Sequence, residues 1–289
     1  LLRPLLFSLL LLPLIACPEG DSALPPPFPP RPAVSAPHPM SHTSLFQVEP
    51  YLQLGSGPSS PDRLALLWHA RDGIGDWAVE IQPESGETWT RVAPPVSILV
   101  PEPDAGAAPH RVWTATLTPL EPGRLFEYRV LQDGTEVFRA EAKALKAPGQ
   151  PQQVVVAGDL AGPEGPDAAL VREIHRQNPD LMVASGELVP PPDTLARYRR
   201  TFFPLYNAGR TDPMDGAPFM RSTVLVRAPG DAGGSVDRLA YRTYWDQPRG
   251  GPQPWAGQVH GRPAPADGRL ADPGSFAFRS GDVHWTILG

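Results

Sequence analysis

Apolar and polar positions alternate with a period of two over much of the stretch from Phe46 to Ala144. Phe46 to Leu54 reads FQVEPYLQL, Arg63 to His69 RLALLWH, Trp77 to Gln82 WAVEIQ, His110 to Leu117 HRVWTATL and Phe126 to Gln132 FEYRVLQ, and Thr135 to Ala144 closes the set. Short runs of this kind, rich in β-branched and aromatic residues and parted by turn residues, predict the strands of a β-sandwich. Asp133-Gly134 between the last two runs predicts a tight hairpin, because both central residues of a type I′ turn take positive φ.

Beyond Ala147-Pro148-Gly149 the period changes. Gln153 to Ala157 (QVVVA) is a continuous apolar run of buried-strand type. Asp167 to Gln177 (DAALVREIHRQ) sets Ala169, Leu170 and Ile174 at helical spacing, and Leu181 to Ala184 (LMVA) is a second buried strand, so the segment predicts a βαβ unit. Thr194 to Leu205 reads as an aromatic-rich helix and Ser222 to Arg227 (STVLVR) as a third strand. Gly230 to Pro273 reads as a long loop with a short element at Tyr241 to Trp245. Ser275 to Phe278 and Val283 to Leu288, joined through Gly281-Asp282, predict a final hairpin. The expected fold class is a β-sandwich over 45–147 followed by a partial α/β domain over 152–289.

The amino-terminal stretch belongs to neither. Arg3 precedes an apolar run from Leu5 to Ile15, and Leu14-Ile15-Ala16-Cys17 resembles the bacterial lipobox, in which a small residue before cysteine marks the cleavage site. Residues 1–17 thus read as a lipoprotein signal peptide, with Cys17 as the lipidated residue and a membrane as partner. An ordinary signal peptide and a short buried helix stay open as alternatives; about 11 apolar residues are too few to span a hydrocarbon core of about 30 Å. The expected location is the bacterial cell envelope. Residues 18–44 are proline-rich, favour an extended chain without a core, and read as a linker.

Composition narrows the chemistry. Cys17 is the sole cysteine among 289 residues, which excludes an intrachain disulfide and a cysteine-based zinc site. A net charge of −6 without a cluster of lysine or arginine gives no electrostatic footprint for nucleic acid. The 40 prolines and 27 glycines fit loop-rich domains better than a helical bundle.

In open α/β sheets ligands gather at the carboxyl ends of the strands. Three acids stand at such ends, each after a glycine: Gly158-Asp159, Gly186-Glu187 and Gly230-Asp231. A glycine lets the backbone turn sharply and aim the carboxylate at a common centre, as a hard cation bound by oxygen requires. Asp159, Glu187 and Asp231 are therefore the candidate metal ligands. They are equally readable as solvated carboxylates at strand ends.

This arrangement resembles the calcineurin-like metallophosphoesterases, in which Gly-Asp, Gly-Asp and Gly-Asn-His-Asp/Glu segments end successive strands. Pro179-Asp180-Leu181-Met182-Val183, the Phe202-Phe203 and Tyr206-Asn207 pairs and SFAFRSGDVHWTIL carry the likeness over Gln153 to Gly289. Pro50-Tyr51-Leu52-Gln53 and Trp68 make the first part similar to the fibronectin III-like amino-terminal domain of purple acid phosphatases. Leu120-Glu121-Pro122-Gly123 resembles the corner before a late strand of that fold, where a tyrosine bonds back to the chain; Phe126 stands at the tyrosine position here. The resemblance implies a binuclear iron, zinc or manganese centre that makes a hydroxide nucleophile and clamps a phosphate ester.

Residue by residue the match is incomplete. Asp159 matches the first Asp. Glu187 replaces the bridging Asp and moves its carboxylate by roughly an ångström or more, where ligand distances hold to about ±0.2 Å. Asp231 replaces the metal-binding Asn, Ala232 the motif histidine and Gly233 its acid, and Pro190 stands where purple acid phosphatases carry a tyrosine. The Gly-His-x-His segment would follow Gly289, where the sequence ends. His175, His260 and His284 read as a helix, a loop and a strand histidine, and His69 and His110 belong to the sandwich. The expectation is an exported relative of the metallophosphoesterases with no catalytic residue assigned, without efficient phosphatase activity, and with no metal or one weakly bound divalent cation. A phosphate ester remains a possible ligand. The alternative is an active phosphoric-monoester hydrolase whose sequence continues into the histidine motifs.

Overall fold

The computed structural model describes residues 45–73, 75–101, 109–161, 167–190, 194–211, 216–228, 235–248 and 275–288; side chains are described for these except at 235–239. They belong to one compact unit, Pro39–Gly289.

Eight strands make the first part. One antiparallel sheet has the order β1-β2-β6-β5, from β1 (Phe46–Gln53), β2 (Leu64–Arg71), β5 (Val96–Val100) and β6 (His110–Leu117). The other has the order β4-β3-β7-β8, from β3 (Trp77–Pro83), β4 (Thr90–Arg91), β7 (Leu125–Gln132) and β8 (Thr135–Lys143). Leu52, Leu64, Leu66 and Trp68 of the first sheet and Val79, Ile81, Tyr128 and Val130 of the second fall in one buried cluster. This is the two-residue periodicity of the sequence made physical, since alternate side chains point to one face. The β7–β8 turn is as expected: Asp133 has φ 49° and Gly134 φ 79°. Two strands escaped the sequence reading, β4 because it is two residues long and β5 because Val96, Ile98 and Leu99 are exposed rather than alternating.

Strand β2 is buried at seven of its eight positions, and the reason lies on its other face. Ala65 and Leu67, with Tyr51, Val100 and Val112, pack against the helices of the second part. The β1-β2 part of this sheet is therefore covered on both sides.

The second part is built on a parallel sheet of order β11-β10-β9, from β9 (Val154–Gly158), β10 (Leu181–Ser185) and β11 (Val224–Ala228). Helix α1 (Ala168–Arg176) joins the first two, started by Asp167, whose carboxylate accepts from the Ala169 amide at 2.7 Å. Met182, Ala184 and Leu225 share a core with Val171 and Ile174 of α1. On the opposite face Leu181, Val183, Val224 and Val226 share a core with the hairpin β12 (Phe276–Ser280) and β13 (Val283–Ile287). Strand β9 ends the sheet, and Val156 is 63% exposed there.

The helix expected from Thr194 is present in three pieces: α2 (Leu195–Arg197), a π-helical turn (Tyr198–Phe202) and α3 (Phe203–Tyr206). Tyr198, Phe202, Phe203 and Tyr206 are all buried. The expectation of a loop from Gly230 with only Tyr241 to Trp245 ordered is corrected in part: α4 (Ser235–Tyr244) is a ten-residue helix. Its Ala240, Tyr241 and Tyr244, with Trp245, recur at helical spacing and pack on Tyr198, Phe202 and Phe203, so packing overrides the glycine- and proline-rich neighbourhood. Of the rest of that stretch, 245–248 follow α4, while 230–234 and 249–273 lie outside the described residues.

The two parts are joined by specific bonds. The Leu52 amide donates to the Met220 carbonyl at 2.9 Å and the Gly55 amide to the Asp246 carbonyl at 2.8 Å. Arg221 pairs with Glu49 at 2.6 Å and donates to the Asn207 and Ala208 carbonyls. Phe126 packs in the core, and Tyr128, two residues later, donates to the Arg221 carbonyl at 2.9 Å, reaching into the second part.

Candidate functional site

The parallel register brings the strand ends level. Gly158 lies opposite Ser185, and Ser185 opposite Ala228. Past the sheet the ladder continues between the first two loops: the Asp159 amide donates to the Ser185 carbonyl and the Ala161 amide to the Glu187 carbonyl, both at 3.0 Å. Leu160 on one loop and Leu188 and Val189 on the other are buried beneath, which anchors both loops in the core.

Asp159 takes φ 48°, a left-handed conformation uncommon for a residue with a side chain. Its carboxylate is thereby laid against Gly186, itself at φ 73°, so closely that a Cβ at 186 would fall 2.1 Å from Asp159 Oδ1. Only glycine leaves that space. The structure thus brings the Asp159 carboxylate against the Gly186-Glu187 turn. Asp159 is exposed and Glu187 half-buried.

The remaining expected residues are placed as follows. Asp231, Ala232, Gly233, His260 and Cys17 lie outside the described residues. Pro190 offers its carbonyl, which accepts from Arg197 at 2.7 Å and ties the Glu187 loop to α2. His175 lies on α1 edge-on to Phe219, and His284 is exposed on β13. His69 and His110 are buried where the sandwich sheet meets the helices.

One residue near the strand ends went unnoticed in the sequence. Arg227, penultimate in β11, is 1% exposed and stands over the rings of Tyr198, Tyr241 and Trp245 at 5.4, 5.6 and 5.0 Å. A guanidinium is more weakly hydrated than an ammonium and stacks on aromatic faces, which is why arginine suits this enclosure. An arginine closing the apolar run STVLV was the available signal.

Among the described residues no group of three histidine, cysteine, aspartate or glutamate side chains is positioned to hold a metal ion. Asp159 and Glu187 bring carboxylate oxygens and no imidazole. A binuclear iron, zinc or manganese centre draws on more ligands and on nitrogen donors, so the described residues do not fit one.

The described residues form a parallel sheet with a helical crossover, set against an antiparallel sandwich. The chain superposes on a purple acid phosphatase from yellow lupin (Lupinus luteus) seeds with a TM-score of 0.54 and 17% identity, over 83% of this chain and 45% of that one. A structure of PhoD matches with a TM-score of 0.46 and 14% identity, over 84% of this chain and 51% of that one. The chain therefore shares the fold of the lupin phosphatase and spans about half the length of these two proteins. No protein-family model and no curated protein matches the sequence.

Proposed function

We propose that this chain is a phosphoesterase-related protein with little or no phosphatase activity of its own. The observation that supports the reading is the strand-end pair: Asp159 lies against the Gly186-Glu187 turn, and among the described residues no group of three histidine, cysteine, aspartate or glutamate side chains is positioned to hold a metal ion. With oxygen donors alone the loops suit at most one hard divalent cation, weakly held. Asp231 is the third ligand in this reading. Cys17 carries a lipid that holds the chain at the bacterial envelope, and a phosphate ester is the class of ligand left to the site. Palmitate labelling that disappears in Cys17→Ala tests the anchor.

The test of activity is hydrolysis of p-nitrophenyl phosphate by purified protein supplied with manganese, iron or zinc. Turnover should not exceed that of Asp159→Ala. Metal-dependent turnover that vanishes in Asp159→Ala would overturn the reading.

A second reading, an active phosphoric-monoester hydrolase, is favoured by one observation. Asp159 keeps its left-handed backbone, and strained conformations of this kind concentrate at working sites. The same assay decides between the two.

A further inference from the structure

Where the sandwich meets the helices, two histidines are enclosed. His69 on β2 is 0% exposed and His110 on β6 1%. Their rings stack at 5.5 Å with 27° between planes. The hydrogen bonds determine which nitrogen of each carries the proton. Tyr51 donates its hydroxyl hydrogen to the Tyr244 carbonyl at 2.9 Å, so its oxygen accepts from His69 Nε2 at 3.1 Å. Hence His69 is the neutral Nε2–H form, and its Nδ1 is buried without a hydrogen-bond partner among the described residues. Arg199, on the π-helical turn, donates to His110 Nδ1 at 3.1 Å and to Gln47 at 3.0 Å, so His110 Nδ1 also keeps its lone pair. Nε2 of His110 then faces the Tyr244 hydroxyl at 3.3 Å.

A proton arriving at His69 Nδ1 would find no acceptor among the described residues. The groups facing the ring are Tyr51 from β1, His110 from β6, Arg199 from the π-helical turn, Phe203 from α3 and Tyr244 from α4. The carboxylate of Asp246, just past α4, acts on the Tyr51 hydroxyl. Burial, then His110, then Arg199 push the His69 imidazole well below its ordinary range.

We propose that His69 is an acid-operated latch between the sandwich sheet and the α4 side of the helical layer. Solvent protons do not reach Nδ1 while the seam is shut. When it opens, His69 returns to an ordinary imidazole and takes up a proton, which holds the seam apart. The folded form binds fewer protons than the open one below about pH 6.5, so the open population is flat above that pH and rises about tenfold for each unit below it. The bonds lost are Tyr51 to the Tyr244 carbonyl, His110 Nε2 to the Tyr244 hydroxyl and Gly55 to the Asp246 carbonyl, while the sandwich interior stays paired.

The test is hydrogen exchange of the full chain from pH 7.5 to 5, corrected for intrinsic rates. The Gly55 amide should lose protection about tenfold per unit below pH 6.5, with Val130 in the sandwich interior unchanged. In His69→Gln, whose amide can donate to Tyr51 and does not titrate, the Gly55 response should flatten. An unaltered tenfold response in His69→Gln, or equal responses at Gly55 and Val130, overturns the proposal. Should the variant not fold, nitrogen-15 spectra of the wild-type imidazoles decide: the neutral Nε2–H form of His69 persisting at pH 6 supports the latch, and a charged ring there sinks it.

Discussion

Asp159 Oδ1 occupies the space that a side chain at position 186 would need, 2.1 Å from where the Cβ would stand. Gly186→Ala must therefore push the Asp159 carboxylate away and also hold alanine at φ 73°. The expected cost is about 1–3 kcal/mol in urea denaturation, from the left-handed backbone and the displaced group together.

Position 159 separates backbone from carboxylate. Asparagine and glycine tolerate the left-handed region better than other residues, so Asp159→Asn and Asp159→Gly should keep stability within about 0.5 kcal/mol, whereas Asp159→Ala should lose about 1 kcal/mol. Calcium or manganese binding by calorimetry should weaken in all three. A stability ranking with alanine best would show that φ 48° is not what the site imposes.

Much of this was legible in the sequence for reasons that can be named. The sandwich strands carry their period because each has one face in a core, and Asp133-Gly134 announces its turn because few residues accept positive φ. The strand-end acids were legible through the glycines before them. Helix α4 was not, since its evidence is a partner: Tyr241, Tyr244 and Trp245 become a helical face only against Tyr198, Phe202 and Phe203. His69 and His110 were assigned to the sandwich but not to each other, because they are 41 residues apart and meet through the register of β2 and β6. Asp231 stands among residues whose arrangement is not described, so the trio rests on two members.

Arg221 is the main polar fastener between the two parts. It is 11% exposed, pairs with Glu49 and satisfies two carbonyls. Arg221→Met should cost about 2–4 kcal/mol, since it strands a partly buried carboxylate and two acceptors. Glu49→Gln should cost less, because the amide oxygen still accepts. Equal losses in chemical denaturation would place the effect in packing on Phe138, over which the guanidinium lies at 5.2 Å.

Alkaline pH should loosen the fold through its buried phenols. Burial raises the hydroxyls of Tyr51, Tyr128 and Tyr206 above their ordinary value, before any effect of neighbouring charge. The folded chain then binds more protons than the unfolded one above about pH 10, so stability falls as pH rises, by about 1.4 kcal/mol per unit for each such phenol. Tyr128→Phe should make the fall shallower by one phenol's share and cost about 1 kcal/mol at pH 7 through the lost bond to Arg221. Urea midpoints between pH 9 and 11.5 measure both.

Strand β9 is hydrogen-bonded along one side only among the described residues, and Val156 on it faces outward. Such a bare border is a template onto which another ribbon can zip, from a neighbouring molecule as readily as from any other source. Among the described residues those five positions form the open rim of the sheet that also delivers Asp159, and a lysine placed at 156 would act as a gatekeeper there while leaving the carboxylate turn untouched.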